Sequence, residues 1–160
     1  MRYVLDTNVF NWLVDGLIEL SVFPLDAELV ATHVQIDELN RTTNTDRRAQ
    51  LFLMFAKIAP AILPTESGIW GTSRWGESRW SDGQRLNSII AALNEKRMKP
   101  NNREDALIAE VAMANDYGLI TADRDLYEVM KERNVSVLFF APKSALIGIP
   151  PVSQPVGPSR

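Results

Sequence analysis

Four carboxylates far apart in the sequence each occupy a place where a strand ends or a helix begins: Asp6, Glu38, Asp105 and Asp123. Carboxylate oxygens are preferred ligands of Mg²⁺ and Mn²⁺. Such an ion can hold a phosphate, generate hydroxide near neutral pH and stabilise the leaving oxygen of a phosphodiester. If the fold brings these acids together, they predict a divalent-metal site suited to phosphodiester hydrolysis.

Short apolar runs that alternate with helical patterns are the elements that must position the acids. Residues 2–6 form such a run, closed by Asp6 and followed by apolar residues at helical spacing. Residues 28–32 repeat the pattern, and Thr32 can cap a helix that carries Glu38 early in its length. A further helix is predicted with Asp46 as its cap and an end before Pro60. Another is predicted over residues 82–96.

The C-terminal half continues the alternation. A helix is predicted from Asn102, with Asp105 in its first turn and Gly118 as the cap at its end. A strand follows directly and leads to Asp123, a helix, and a last strand over residues 135–140. This β-α alternation predicts a parallel sheet with helices on both faces, and ligands bind outside the carboxyl ends of strands in such sheets. Asp6 and Asp123 lie at such ends.

Four segments carry a resemblance to a known family: VLDTN at 4–8, IDEL at 36–39, DALIA at 105–109 and LITADRDL at 119–126. Together they resemble a PIN domain, as in the VapC-type toxins of toxin–antitoxin pairs. The resemblance spans roughly residues 1–140, although the middle third matches only as generic helices. It implies a three-layer α/β/α sandwich with a short central parallel sheet.

The resemblance also implies a metal-dependent endoribonuclease that uses Mg²⁺ or Mn²⁺, with catalytic acids Asp6, Glu38, Asp105 and Asp123. Asp6 and Asp105 match acids that bind metal directly, and Glu38 matches one that acts through water or as a base. Asp123 matches the acid of a Thr-x-Asp motif and is also a predicted metal ligand, and Asp125 is an additional candidate ligand.

Three neighbouring polar residues would orient the ligands or water: Thr7, Asn8 and Thr121. Each acid also has a structural interpretation. Asp6 and Asp123 could cap helices, Asp105 could favour a helix dipole, and Glu38 could lie on a solvated face.

Composition excludes several other chemistries. The chain has no Cys, so thiolate sites are absent, and His33 is its only histidine. Without a Gly-x-Ser-x-Gly elbow or a Gly-rich phosphate loop, serine hydrolases and nucleotide-hydrolysing folds are disfavoured, and we interpret His33 as structural or peripheral. Asp6 and Asn8 interrupt the N-terminal apolar run, which is therefore neither a signal peptide nor a membrane span. We expect a cytoplasmic protein.

Charge is segregated along the sequence. Residues 41–103 hold eleven Lys/Arg against five Asp/Glu, a net +6, and the flanks hold six against fifteen, a net −9. A basic segment can bring RNA to an acidic site, although chance placement on solvated faces is the alternative.

A Trp/Arg insert at about residues 66–83 is the most distinctive stretch, with WGTSR at 70–74 followed by WGESR at 75–79. Indoles can stack on unpaired bases and Arg can meet phosphate. We therefore predict nucleic-acid contacts at Arg74, Trp75 and Arg79, and at Arg103 beside Asp105. Equally good alternatives are that the Trp side chains cap the core, or that they lie in a partner or homodimer interface.

These observations predict one PIN-like domain over residues 1–149 and a Pro-rich tail over 150–160. The predicted function is an endoribonuclease acting on RNA, as the toxin that an antitoxin protein would neutralise. The alternatives are a non-catalytic binding or assembly module of the same fold, a nuclease acting on DNA, or a phosphatase.

Overall fold

A computed structural model of the protein describes residues 1–141, and its centre is a parallel sheet of five strands in the order β3-β2-β1-β4-β5. The strands are β1 (Arg2–Leu5), β2 (Glu28–Ala31), β3 (Ala61–Ile62), β4 (Gly118–Thr121) and β5 (Val137–Phe139). The helices are α1 (Thr7–Val14), α2 (His33–Asn40), α3 (Thr45–Ile58), α4 (Gln84–Lys96), α5 (Asn102–Asn115) and α6 (Arg124–Glu132). The tail predicted over residues 150–160 lies outside the described residues.

Apolar cores lie on both faces of the sheet. Successive strand residues point to opposite faces, so Val4 packs into the core formed with α4, α5 and α6, whereas Leu5 packs into the core formed with α1 and α3. Phe10 of α1 stacks on Phe55 of α3 within the second core, with ring centroids 5.4 Å apart. The sheet thus lies between two helical layers, and the predicted three-layer α/β/α sandwich with a short central parallel sheet is confirmed.

The central strands end at the same edge of the sheet. Leu5 of β1 is in register with Ile120 of β4, and the backbone N–H of Asp6 donates to the Ile120 carbonyl at 2.9 Å. Thr32 follows β2, accepts a hydrogen bond from the Val34 N–H and caps α2, as predicted. The residues that follow β1, β2 and β4 are therefore gathered at one carboxyl edge.

Three details of the helices and strands differ from prediction. Asn44, rather than Asp46, caps α3, because its side chain accepts the Arg47 N–H and the helix starts two residues earlier than expected. Glu38 lies in the second half of α2, since that helix is only eight residues long. The two-residue strand β3 was not predicted, because its length gives no detectable alternation.

Gly118 does not cap α5, contrary to prediction. Asp116 adopts the left-handed conformation that ends the helix, with φ of 55°, and Gly118 is already the first residue of β4. The glycine is required by packing instead, because a methyl group at this position would overlap the ring of Tyr3 on the neighbouring strand.

The Trp/Arg insert contains neither helix nor strand. Thr65 holds its two ends together, since its N–H donates to the Glu77 carbonyl at 3.0 Å and its carbonyl accepts the Arg79 N–H at 2.7 Å. Ser67 fixes the insert to α5 by donating to Glu110 at 2.8 Å. Within residues 1–141, none of the helices combines the length and the apolar character needed to span a bilayer.

Candidate active site

Asp6 lies at the centre of the carboxyl edge, directly after β1, and its side chain is 1% exposed. Its Oδ2 accepts a hydrogen bond of 2.7 Å from the Thr121 hydroxyl, which comes from the end of β4. Its Oδ1 is buried and accepts no hydrogen bond of normal geometry among the described residues, although the backbone N–H groups of Thr7 and Asn8 lower the pKa of the carboxyl. A buried polar atom without a partner is rare and costly, so this oxygen is available to a ligand.

Asp105 is the second buried acid of the edge, in the first turn of α5. Within residues 1–141, only the Asn101 amide hydrogen-bonds to its carboxylate, at 3.2 and 3.3 Å, from one helical turn earlier in the chain. These contacts are longer than a well-formed charge-assisted hydrogen bond. Asp105 thus presents oxygens that the chain itself satisfies only weakly.

Glu38 approaches from α2 and is held by the hydroxyl of Thr7, which donates to its Oε2. The helix that carries it is fixed to β1 by Gln35, whose side-chain amide donates to the Leu5 carbonyl at 2.6 Å. Two residues next to Asp6 and Asp105 in the sequence therefore lie near Glu38 as well: Thr7 contacts it, and Glu104 adds a neighbouring negative charge.

Burial and the closeness of these acids to one another raise their pKa values. Burial raises the pKa of Glu38 to about 7, with the charges of Asp6 and Glu104 adding to the effect. Burial and the charges of Asp6, Glu38 and Asp123 raise the pKa of Asp105 well above its usual range. The pKa of Asp6 is also raised, by burial first and by the charge of Asp123. Asp6, Glu38, Asp105 and Asp123 therefore share one electrostatic environment, which we call the acidic site.

Asp123 caps a helix as well as lying in the acidic site. Its Oδ1 accepts the backbone N–H groups of Asp125 and Leu126, at 2.8 and 3.1 Å, and so caps α6. Its Oδ2 is 2.5 Å from Nζ of Lys99. Asp125 points to the same lysine at 3.3 Å and to Arg97 at 3.0 Å. The structure thus divides the predicted ligands into two groups. Asp123 and Asp125 form ion pairs, whereas Asp6 and Asp105 form none among the described residues, although the charge of Lys99 acts on Asp105.

The carboxylate chemistry of Asp6 and Asp105 suits a divalent cation. Within residues 1–141 no three His, Cys, Asp or Glu side chains are arranged to hold one ion together. Mg²⁺, however, usually takes one or two carboxylates and completes its shell with water and phosphate oxygens. The unpartnered Asp6 oxygen, the weakly bonded Asp105 and the raised pKa values are what a site built for an added positive charge requires.

Solved structures share this architecture. VapBC2 from Rickettsia felis, in a structure bound to a DNA fragment from their promoter, matches with a TM-score of 0.55 and 15% identity, over 87% of this chain and 98% of that one. VapBC-1 from nontypeable Haemophilus influenzae matches with a TM-score of 0.51 and 14% identity, over the same shares of the two chains. The chain has a PIN-like fold. No protein-family model and no curated protein matches the sequence.

The Trp/Arg insert presents three outward-facing indoles. Trp70, Trp75 and Trp80 are 93%, 86% and 93% exposed. The alternative that they cap the core is therefore wrong. They border an open cavity of about 450 Å³ that the insert forms on its own surface. Exposed apolar side chains grouped on one surface in this way often mark a binding site for a ligand or partner.

The arginines of the insert are engaged by acids. Arg74 forms a two-pronged ion pair with Asp37, the neighbour of Glu38, and Arg79 pairs with Glu66 at 3.3 Å. Arg74 thereby fastens the insert to α2, the helix that also carries Glu38. Arg103 is exposed and forms no ion pair within residues 1–141, and it lies two residues from Asp105.

Of the other polar residues singled out in the sequence, Thr121 contacts the acidic site, whereas His33 lies outside it. Thr121 bridges Asp6 and the backbone of Asp123, whose N–H it accepts at 2.9 Å. Asn8 is half-buried in α1 and makes no side-chain hydrogen bond among the described residues. His33 is buried with its Nδ1 3.8 Å from a Glu77 oxygen, and burial lowers its pKa. It lies under the insert rather than in the acidic site.

Folding cancels much of the charge segregation seen along the sequence. Cations of the basic segment pair with acids of the flanks: Arg41 with Glu104, Arg47 with Asp15, Arg74 with Asp37, Lys96 with Glu128 and Glu132, and Lys99 with Asp123. Sequence reasoning assigned neither Lys99 nor Asn101 to the site. Lys99 belongs to this pattern, whereas the uncharged Asn101 donates to Asp105. Their only signal was proximity to Asp105, since Lys99 had been counted as general positive charge.

Proposed function

We propose that this protein is a divalent-metal-dependent endoribonuclease, acting as the toxin of a toxin–antitoxin pair. The observation that carries the proposal is the unpartnered oxygen of buried Asp6, in the same electrostatic environment as Asp105 and Glu38. Its place at the carboxyl ends of parallel strands, in a PIN-like fold, is where such folds bind ligands. The resemblance of the sequence to VapC-type toxins supports the choice of RNA.

Asp6 and Asp105 would hold the ion, which when bound supplies charge for a phosphate and a more acidic water. Thr121 fixes the orientation of Asp6 through its hydrogen bond. Thr7 fixes Glu38 in the same way. With a pKa near 7, Glu38 can accept a proton from the attacking water at neutral pH.

The Trp/Arg insert would supply the RNA-binding surface. Exposed indoles stack on unpaired bases irrespective of sequence, and Arg103, two residues before Asp105 on α5, offers an exposed cation. Arg74 and Arg79 can reach phosphate only by exchanging their present partners, Asp37 and Glu66. The aromatic side chains are therefore the larger part of this proposed contact.

The proposal is tested by incubating end-labelled single-stranded RNA with the purified protein in Mn²⁺, in Mg²⁺ and in EDTA. We expect internal cleavage with either metal and none in EDTA. Single-stranded DNA of the same sequence, run in parallel, distinguishes the DNA-nuclease alternative. Intact RNA under every metal condition, at protein concentrations far above the substrate, would contradict the proposal.

Trp75→Ala is expected to weaken RNA binding by about tenfold, because stacking on one aromatic side chain contributes roughly 1–3 kcal/mol per base. Fluorescence anisotropy with labelled RNA in EDTA measures the affinity without cleavage. Mn²⁺ affinity should stay unchanged. Leu25→Ala is the matched control, since Leu25 is fully exposed and lies before β2, at the opposite end of the sheet from the acidic site. If the Trp75 variant and the wild type bind RNA with equal affinity, the insert does not form part of the RNA-binding surface.

A non-catalytic binding module is the second candidate, and one observation favours it. The insert combines exposed indoles with arginines already neutralised by the chain's own acids, a combination suited to an apolar partner surface. An antitoxin protein or a second copy of this chain would be the partner. Retained partner binding together with absence of metal-dependent cleavage would favour this candidate.

A further inference from the structure

A lysine lies within the acidic site. Nζ of Lys99 is 2.5 Å from Oδ2 of Asp123 and 3.3 Å from Oδ2 of Asp125, and its side chain is only 18% exposed. It comes from the segment between α4 and α5, just before the helix that carries Asp105. The chain therefore brings its own cation to acids that a divalent ion would otherwise bind.

The lysine divides the predicted ligands into two groups. Both oxygens of Asp123 are occupied, one by the backbone at the start of α6 and the other by Lys99. Asp125 faces Lys99 and Arg97. By contrast, Oδ1 of Asp6 has no partner within the described residues, and Asp105 has only the long contacts from Asn101.

A resident ammonium group and a second divalent ion exclude each other. Like charges a few ångströms apart repel strongly where little water screens them, and the oxygens of Asp123 cannot serve both cations. Nucleases with two-metal centres place their ions about 4 Å apart between shared acids. In this chain the ammonium of Lys99 lies against the acids that would have to supply the second position.

We propose that Lys99 takes the place of a second metal ion, so that the site holds a single divalent cation on Asp6 and Asp105. This inference rests on the proposed function, because it requires a divalent site at those two acids. Asp123 and Asp125 then act by holding Lys99 and the start of α6, and Lys99 is a positioning residue. The sequence-based assignment of Asp123 and Asp125 as metal ligands would be replaced.

Titration calorimetry with Mn²⁺ on the full chain tests the inference without any measurement of activity. The wild type should bind one ion, and Lys99→Met should bind two, because the shape of the side chain is kept while Asp123 and Asp125 lose their cation. Lys99→Arg keeps the charge and should again bind one. Lys96→Met is the matched control, since Lys96 also bridges two acids, Glu128 and Glu132, but at an exposed site.

A double change locates the extra ion. Lys99→Met combined with Asp125→Asn should return the stoichiometry to one, because the second position loses one of its two carboxylates. If Lys99→Met is unstable, Lys99→Gln replaces it, since this change also removes the ammonium group and should likewise bind two ions.

The outcomes separate the two proposals. If the wild type binds two ions, or Lys99→Met binds one, the inference about Lys99 is wrong. The proposed metal site on Asp6 and Asp105 would be unaffected by either result. No Mn²⁺ binding by the wild type, with an unchanged melting temperature, would overturn the proposed function and the inference with it.

Discussion

Replacing Asp6 and Asp105 together by asparagine is expected to reduce metal-dependent RNA cleavage by on the order of a thousandfold or more, because the variant loses both acids that would hold the ion. The amide keeps the size of each side chain and can still accept the hydrogen bond that Thr121 donates to position 6. Initial rates with labelled single-stranded RNA in Mn²⁺ measure the effect.

Thermal melting distinguishes loss of metal from loss of fold in this variant. In EDTA the double variant should melt no lower than the wild type, because burial and mutual repulsion disfavour the two charges that it removes. The rise in melting temperature that Mn²⁺ gives the wild type should be absent, since a ligand stabilises only the state that binds it.

A matched control comes from the other end of the sheet. Asp26 is exposed and precedes β2, so Asp26→Asn removes a carboxylate without touching the acidic site. Its cleavage rate and its response to Mn²⁺ should equal those of the wild type. A double variant that cleaves RNA at the wild-type rate would refute the assignment of Asp6 and Asp105.

The fold was predictable because its signals are local. Apolar runs of strand length, closed by a polar residue, marked β1, β2 and β4, and the capping pattern at Thr32 marked the start of α2. The parallel order of the strands follows from helices between them. The short strand β3 was missed because two residues carry no periodicity, and Gly118 was misread because the need for it comes from Tyr3 on another strand.

The candidate site was predictable in its acids but not in its cations. Acids after strands are brought together by topology alone, so Asp6 and Asp123 could be placed from the sequence. An ion pair such as Lys99 with Asp123, or Arg74 with Asp37, depends on side-chain positions that no spacing encodes. The same limit applies to the net charge of the basic segment, which counts residues without showing that folding pairs them with acids of the flanks.

Raising the pH from 6.5 to 8.0 in EDTA is expected to destabilise the protein by on the order of 2 kcal/mol. Burial raises the pKa of Glu38 to about 7 and the pKa of Asp105 further above its usual range. In the unfolded chain both groups are already ionised at pH 6.5, whereas the folded chain must still lose protons. A group with a raised folded pKa favours folding at low pH, and this contribution is lost as the pH rises through that value.

Urea denaturation at the two pH values measures the change, and Asp105→Asn should remove most of it. The titration of His33, whose pKa burial lowers, opposes this change by only roughly 0.4 kcal/mol, because the unfolded imidazole loses its remaining charge between pH 6.5 and 8.0. Mn²⁺ should add more stability at pH 8.0 than at pH 6.5, since metal and protons compete for the same carboxylates. Stability in EDTA that rises over this interval would show that the acids of the site are not held protonated by the fold. The proposed metal site would then lose its electrostatic basis, because an added cation would have no crowded negative charge to relieve.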